Sequence, residues 1–232
     1  MALYAIADLH LSLSGDKPMD VFPGWEGYTQ RMPANWNKLV GQDDTVVIPG
    51  DVSWAMDLNS IYEDFRYIDS LPGKKILIRG NHDFWWSTRK KIETYLAENG
   101  FNSISILQND SVRVGDIAVC GTRGWKYSED MTEEDKKIFS RELIRLEMSL
   151  GDAVKKGGEP VCFMHYPPVF TTLTAQPVVD LLKKYGVRRC FYGHLHGDSA
   201  SFAFQGIQDG IEYRLVSADS IGFTPYLVDK LS

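Results

Sequence analysis

The feature that most constrains this chain is a repeated local pattern, a short apolar run that stops at aspartate, asparagine or histidine. Residues 3–7 stop at Asp8-Leu9-His10, residues 45–49 at Gly50-Asp51, and residues 75–78 at Arg79-Gly80-Asn81-His82-Asp83. Later, residues 161–164 stop at His165, and residues 188–192 at Gly193-His194-Leu195-His196. Short continuous apolar runs bounded by turn residues are the pattern of strands buried on both faces. Helical periodicity lies between them, over residues 60–71 with Ser60 as the expected N-cap, and over residues 88–99, closed by Gly100. Strand and helix in alternation predict an α/β fold with a mainly parallel sheet.

The rest of the chain has a different rhythm. Residues 112–114 and 117–120 flank Gly115-Asp116 and read as a hairpin. A long amphipathic helix is expected over residues 132–156, where Thr132 and Asp135 have capping-box spacing. Pro177 suits the first turn of another helix. Residues 201–205, 211–217 and 225–228, with Asp209-Gly210 between the first two, suggest antiparallel strands finishing a second sheet. Repeats and low-complexity tracts are absent, and one domain over residues 1–232 is the expectation.

Composition narrows the function classes. With 44% hydrophobic and 24% charged residues the chain reads as an ordinary globular protein. A net charge of −6 without a basic stripe gives no reason to expect a stable nucleic-acid partner. Cys120, Cys162 and Cys190 each fall in a strand-like apolar run and form no CxxC pair, so buried thiols in a reducing compartment are expected. No stretch approaches the length of a membrane span, and no basic leader precedes Asp8. A cytoplasmic location is the expectation.

All five histidines, His10, His82, His165, His194 and His196, stand just past an expected strand. In open α/β sheets ligands bind beyond the carboxyl ends of strands, where loops from different strands converge. His194 and His196 are two apart, so an extended segment would turn both rings to one side. Imidazoles mixed with the carboxylates of Asp8 and Asp51 suit Mn, Fe, Zn, Co or Ni better than Ca or Mg. Bound cations would also let an acidic chain act on anionic substrates.

The ordered blocks D-x-H, G-D, G-N-H-[DE], H and G-H-x-H, read here at Asp8/His10, Gly50/Asp51, Gly80 to Asp83, His165 and Gly193/His194/His196, resemble the calcineurin-like metallophosphoesterases. That resemblance implies a four-layer sandwich, two facing mixed β-sheets flanked by helices, with two divalent transition-metal ions at one edge. It implies one metal held by Asp8, His10, Asp51 and His196, a second by Asp51, Asn81, His165 and His194, with Asp51 bridging. It sets His82 beside the substrate phosphate, held and polarised by Asp83, with Asn81 also near substrate. The implied reaction is hydrolysis of a phosphomonoester or phosphodiester, on a phosphorylated small molecule or other phosphoester, by a hydroxide bridging two ions. Alternatives are cleavage of a pyrophosphate-type bond in a nucleotide or lipid precursor, and a non-catalytic interaction scaffold. The resemblance leaves the metal's identity, the substrate and the oligomeric state open.

Two stretches depart from the pattern. Residues 11–42, rich in Gly, Pro and aromatics, are long for a strand-to-helix connection and suggest a lid or rim over the site, with an ordered surface loop as the other reading. Gly50-Asp51 is not followed by the Asp-Arg-Gly of the protein phosphatases, which argues against phosphoprotein substrates. Arg79 and Arg123 are candidates to grip phosphate, Arg123 the better because it sits in a loop just past a strand.

Overall fold

The computed structural model describes residues 1–15 and 17–231. The expected post-strand pattern resolves into two sheets. In the first, β1 (Ala2–Ala5), β2 (Thr45–Pro49), β3 (Lys74–Ile78) and β4 (Ile104–Ile106) run parallel, and the C-terminal strand β11 (Tyr226–Lys230) pairs antiparallel with β1. The second contains β5 (Val112–Val114), β6 (Ile117–Thr122), β7 (Glu159–Met164), β8 (Arg189–Tyr192), β9 (Gly206–Gln208) and β10 (Ile211–Leu215). Its order is β5-β6-β7-β8-β10-β9, parallel from β6 to β10 and antiparallel at both edges.

The sheets face each other across a core of Leu3, Ala5, Val47, Ile76 and Ile78 against Val119, Val161, Phe163 and Phe191. The outer face of the first sheet packs on α1 (Tyr28–Leu39), α2 (Tyr62–Ser70) and α3 (Arg89–Glu98) through Trp36, Phe65 and Ile92. On the second sheet, α4 (Glu133–Lys156) and α5 (Gln176–Lys184) cover the three cysteines with Leu146, Leu150, Val178 and Leu182. The result is the expected four-layer sandwich. Burial explains why the central strands read as unbroken apolar runs: both faces are covered. Among the described residues no helix is long and apolar enough to cross a membrane.

Helix ends follow the capping signals in part. Thr88 accepts the Lys91 N–H, and Thr132 accepts the Asp135 N–H. Ser60 does not cap α2, however; its hydroxyl donates to Asp57, and the helix begins at Tyr62. Helix α1 lies within residues 11–42, which were expected to be a loop or lid. Pro33 in its interior hid it, because proline removes the N–H that would bond to the residue 29 carbonyl. That carbonyl instead accepts the Tyr67 hydroxyl at 2.8 Å, so the helix continues with the group satisfied. The expected strand over 201–205 is a 3-10 turn, Gly197–Phe202, with the strand displaced to β9.

Candidate metal centre

Four of the candidate side chains leave the end of a central strand on a tight backbone turn. Asp8, His10, Asp51 and His194 all have left-handed φ, at 60°, 43°, 51° and 74°. For non-glycine residues this is uncommon and strained, yet it folds each loop back so that side chains from both sheets converge. The expectation that the 194–196 segment is extended is therefore corrected: the left-handed turn at His194 sends the two rings to opposite ends of the site. Two glycines permit the close approach. A Cβ on Gly80 would collide with the carboxylate and amide nitrogen of Asp51, and one on Gly193 with the Asp8 carboxylate.

Two overlapping clusters result. Asp8, His10, Asp51 and His196 offer one ligand atom each within 4.8 Å of one another, and so do Asp51, His165 and His194. Asp51 belongs to both. His10 Nε2 faces His196 Nε2 at 3.1 Å, and His194 Nδ1 faces His165 Nε2 at 3.3 Å. Asn81 Oδ1 lies 2.7 Å from His165 Nε2, so it joins the second cluster. Asp51 Oδ2 sits between them, 3.7 Å from His10 Nε2 and 3.4 Å from His165 Nε2, buried and without a donor.

The electrostatics are those of side chains suited to bind cations. Burial first, then the charges of Asp8 and Asp83, raises the Asp51 carboxyl, and burial raises Asp8. Burial likewise lowers His10 and His165 well below the ordinary imidazole value and takes His194 down to about 4. His196 differs: burial lowers it, but the carboxylates of Asp8 and Asp219 outweigh that and raise it. Neutral imidazoles, buried carboxylates and a donorless carboxylate oxygen are the chemistry of a metal-ligand set. The residues present fit two divalent ions.

Supporting groups orient these side chains. The Pro49 carbonyl can only accept, so His165 Nδ1 donates to it at 3.2 Å, which leaves the Nε2 lone pair for the cluster. Ser217 Oγ donates to Asp8 Oδ2 at 2.8 Å, beside the His194 N–H at 2.9 Å. Asp219 stands 3.5 Å from His196 Nδ1 and accepts the Gly197 N–H. Ser217 and Asp219 were not foreseen. Both lie just past β10; the post-strand rule applied to carboxylates without a neighbouring histidine finds Asp219, whereas Ser217 falls inside the expected strand 211–217.

Asp83 departs from its expected task. Its Oδ1 accepts N–H groups of Val52 at 2.9 Å and Ser53 at 3.3 Å and the Trp85 indole at 2.9 Å. Its Oδ2 accepts the Asp51 N–H at 3.0 Å and the Gly80 N–H at 2.6 Å. All five donors belong to the loops after β2 and β3, and none is His82. The carboxylate is consumed in tying those two loops together, so it cannot polarise the histidine. His82 keeps a buried, partnerless Nδ1 and bonds Asp51 Oδ1 only through its backbone N–H, at 2.8 Å.

His82 instead lines a cleft of about 430 Å³ with His10, His196, Trp25, Trp54, Met19, Phe22 and Pro23. Trp54 stacks on His10 with centroids 4.9 Å apart and meets His82 at 4.3 Å, while the Lys17 ammonium lies 4.4 Å above its ring. Among the described residues of 11–42, the part around Met19 to Trp25 lines this cleft and Lys17 covers Trp54, while α1 is packed against the sheet. Arg79 and Arg123 are not in this cleft. They line a separate cavity, and Arg123 is paired with Glu142 at 3.2 Å and lies over the Trp125 ring.

Comparison with known proteins accords with this geometry. The fold resembles AQ665 of Aquifex aeolicus, a protein of unknown function, at TM-score 0.55 and 18% identity, covering 97% of this chain and 95% of that one. It resembles phosphopantetheinyl hydrolase (PptH) of Mycobacterium tuberculosis at TM-score 0.53 and 15% identity, covering 93% and 88%. TT1561 of Thermus thermophilus gives 0.56 and 11%, covering 98% and 97%. A 48-residue stretch is 46% identical to the Gene 66 protein of Mycobacterium phage L5, spanning 21% of this chain and 23% of that protein. Residues 1–198 match the calcineurin-like phosphoesterase family throughout, and the chain belongs to that family.

Proposed function

We propose that the protein is a metal-dependent hydrolase of phosphoester bonds, acting on a phosphorylated small molecule. The observation that carries this reading is Asp51: one buried carboxylate shared by two imidazole-rich clusters, with an oxygen that has no donor. One ion would be held by Asp8, His10, Asp51 and His196, the other by Asp51, Asn81, His165 and His194. When bound, such a pair supplies an acidified water and neutralises charge on phosphoryl oxygens. The chain's own residues do the rest. Asn81 orients a phosphoryl oxygen beside His165. His82 stands at the cleft wall, where its ring can bind a phosphoryl oxygen or hand a proton to the leaving oxygen. Trp25, Trp54 and Phe22 exclude water and receive the group attached to the phosphate.

That aromatic cleft supports a second reading within the same chemistry, cleavage of a pyrophosphate-type bond in a nucleotide-like molecule, since a base stacks well on indole. A lipid precursor would need a longer apolar groove.

The test measures metal content, then turnover of a chromogenic phosphomonoester and its matching diester with Mn, Zn, Fe, Co and Ni, in wild type and His82→Ala. Two ions per chain are expected, with turnover that falls about 10²- to 10⁴-fold in His82→Ala while the metal stays bound. Bound metal with no ester hydrolysed under any ion would favour the scaffold alternative. Retention of both ions and full rate in Asp51→Asn would overturn the bridging assignment.

A further inference from the structure

A second polar cavity lies one strand further out along the same sheet edges. It opens where β3, β4 and β6 end and is lined by Arg79, the 107–109 loop, Thr122, Arg123, and Glu142 and Arg145 of α4. Its room is about 60 Å³, about twice the share of one water in the liquid. A phosphate or carboxylate group fits there.

Three guanidinium groups and one carboxylate line this cavity. Arg123 stands 3.2 Å and Arg145 2.6 Å from the same oxygen, Glu142 Oε1, while Oε2 accepts the Thr122 hydroxyl. Arg79 has no ion-pair partner among the described residues, and the nearby Asp83 is taken up by its five N–H donors. Two positive charges are therefore left over. The Nε atoms of Arg79 and Arg123 are both buried without an acceptor. Buried charged donors without acceptors are costly, and an arginine pair is suited to grip an oxyanion.

The loops that line the cavity adjoin those that carry the metal ligands. Arg79 precedes Gly80-Asn81, the Thr122 carbonyl accepts the His165 N–H, and the Arg123 carbonyl accepts the Tyr166 N–H. The aromatic cleft is lined by His10 and His196, whereas the arginine cavity is lined by Arg79, two residues before Asn81, and by Thr122, which is bonded to His165. We propose that the cavity is a second anion subsite, and that the substrate is a phosphoester carrying a second phosphate group held by Arg79, Arg123 and Arg145. This substrate class rests on the phosphoesterase reading above; the subsite itself does not.

The test compares inhibition of chromogenic ester turnover by methylphosphonate, which has one phosphonate, with that by methylene-, ethylene- and propylenediphosphonate, in the metal-loaded protein. Wild type should bind one of the diphosphonates more tightly than methylphosphonate. In Arg145→Ala the ratio of the two inhibition constants should fall about tenfold or more, what one charge-assisted hydrogen bond supplies, and Arg145→Lys should restore much of it. Arg145 is half-exposed on α4, and a merely structural role would shift both constants together. No diphosphonate advantage in wild type, or an unchanged ratio in Arg145→Ala and Arg123→Ala, overturns the proposal. Inorganic phosphate that inhibits non-competitively, and does so through Arg145, would make the cavity an effector site and overturn the substrate assignment. If no ester is turned over, the phosphoesterase reading fails separately. Calorimetry of the same phosphonates on wild type and Arg145→Ala then decides the subsite by itself.

Discussion

Replacing Asp83 separates two accounts of that residue. If it served to polarise His82, Asp83→Asn would slow turnover much as His82→Ala does, with little change in stability. The hydrogen bonds say otherwise. Five N–H donors from the loops after β2 and β3 converge on a carboxylate with no exposure to solvent. Removing it in Asp83→Ala leaves five buried donors; at ~1–3 kcal/mol for each unmet group, offset by water entering the space, a loss of about 3–5 kcal/mol is expected. Asp83→Asn keeps an oxygen for one set of donors but turns an NH2 against the other, which predicts about half that loss. Urea unfolding of metal-free protein measures both. Because Asp51 and Asn81 ride on the loops that Asp83 joins, metal affinity should also fall in both variants, read by competition with a chelator. An Asp83→Asn protein with unchanged urea midpoint and metal affinity but slow turnover would refute the tying role.

Two further outcomes follow from packing and burial. Gly80→Ala should lose metal binding and stability together, since the added methyl must displace both the Asp51 carboxylate and its backbone nitrogen; metal analysis with thermal circular dichroism checks it. Lys75 is fully buried, donates to the carbonyls of Leu71 and Gly73, and is lowered by burial from 10.5 to about 8. The unfolded chain therefore holds more protons than the folded one between pH 8 and 10.5, so stability contributed at this site rises with pH, by roughly 3 kcal/mol in full. The stability difference between wild type and Lys75→Met, followed from pH 7 to 10, should grow in favour of wild type; a flat difference refutes it.

The strands and the convergence of the histidines were legible because both depend on local signals. A strand covered on both faces must be apolar, as residues 45–49 and 161–164 are, and a loop leaving its end must begin where the apolar run stops. Helix α1 was not legible, because Pro33 is tolerated only through the Tyr67 hydroxyl, a group 34 positions away in sequence. Strand β4, three residues long, gives too little periodicity to read. The role of Asp83 was missed for a related reason. Sequence shows an aspartate next to a histidine, but its partners are chosen by where five N–H groups happen to point. Asp219 obeys the post-strand rule but has no adjoining histidine to mark it, and Ser217 lies within the strand that the sequence predicts, which ends two residues early at Leu215. The left-handed turn at His194 could not be read from spacing, which is blind to the sign of φ.

The four left-handed turns carry a consequence of another kind. Asp8, His10, Asp51 and His194 are non-glycine residues in a conformation that costs about 1–2 kcal/mol each. Glycine at any of them would relax the backbone and remove one side chain from the cluster. Selection of this chain for thermostability alone, with metal withheld, would thus drift toward glycine at these four positions. Heat tolerance and the constellation at the sheet edge are opposed in this fold, and the residues to hold fixed in any stabilisation effort are the ones a stability score would most readily exchange.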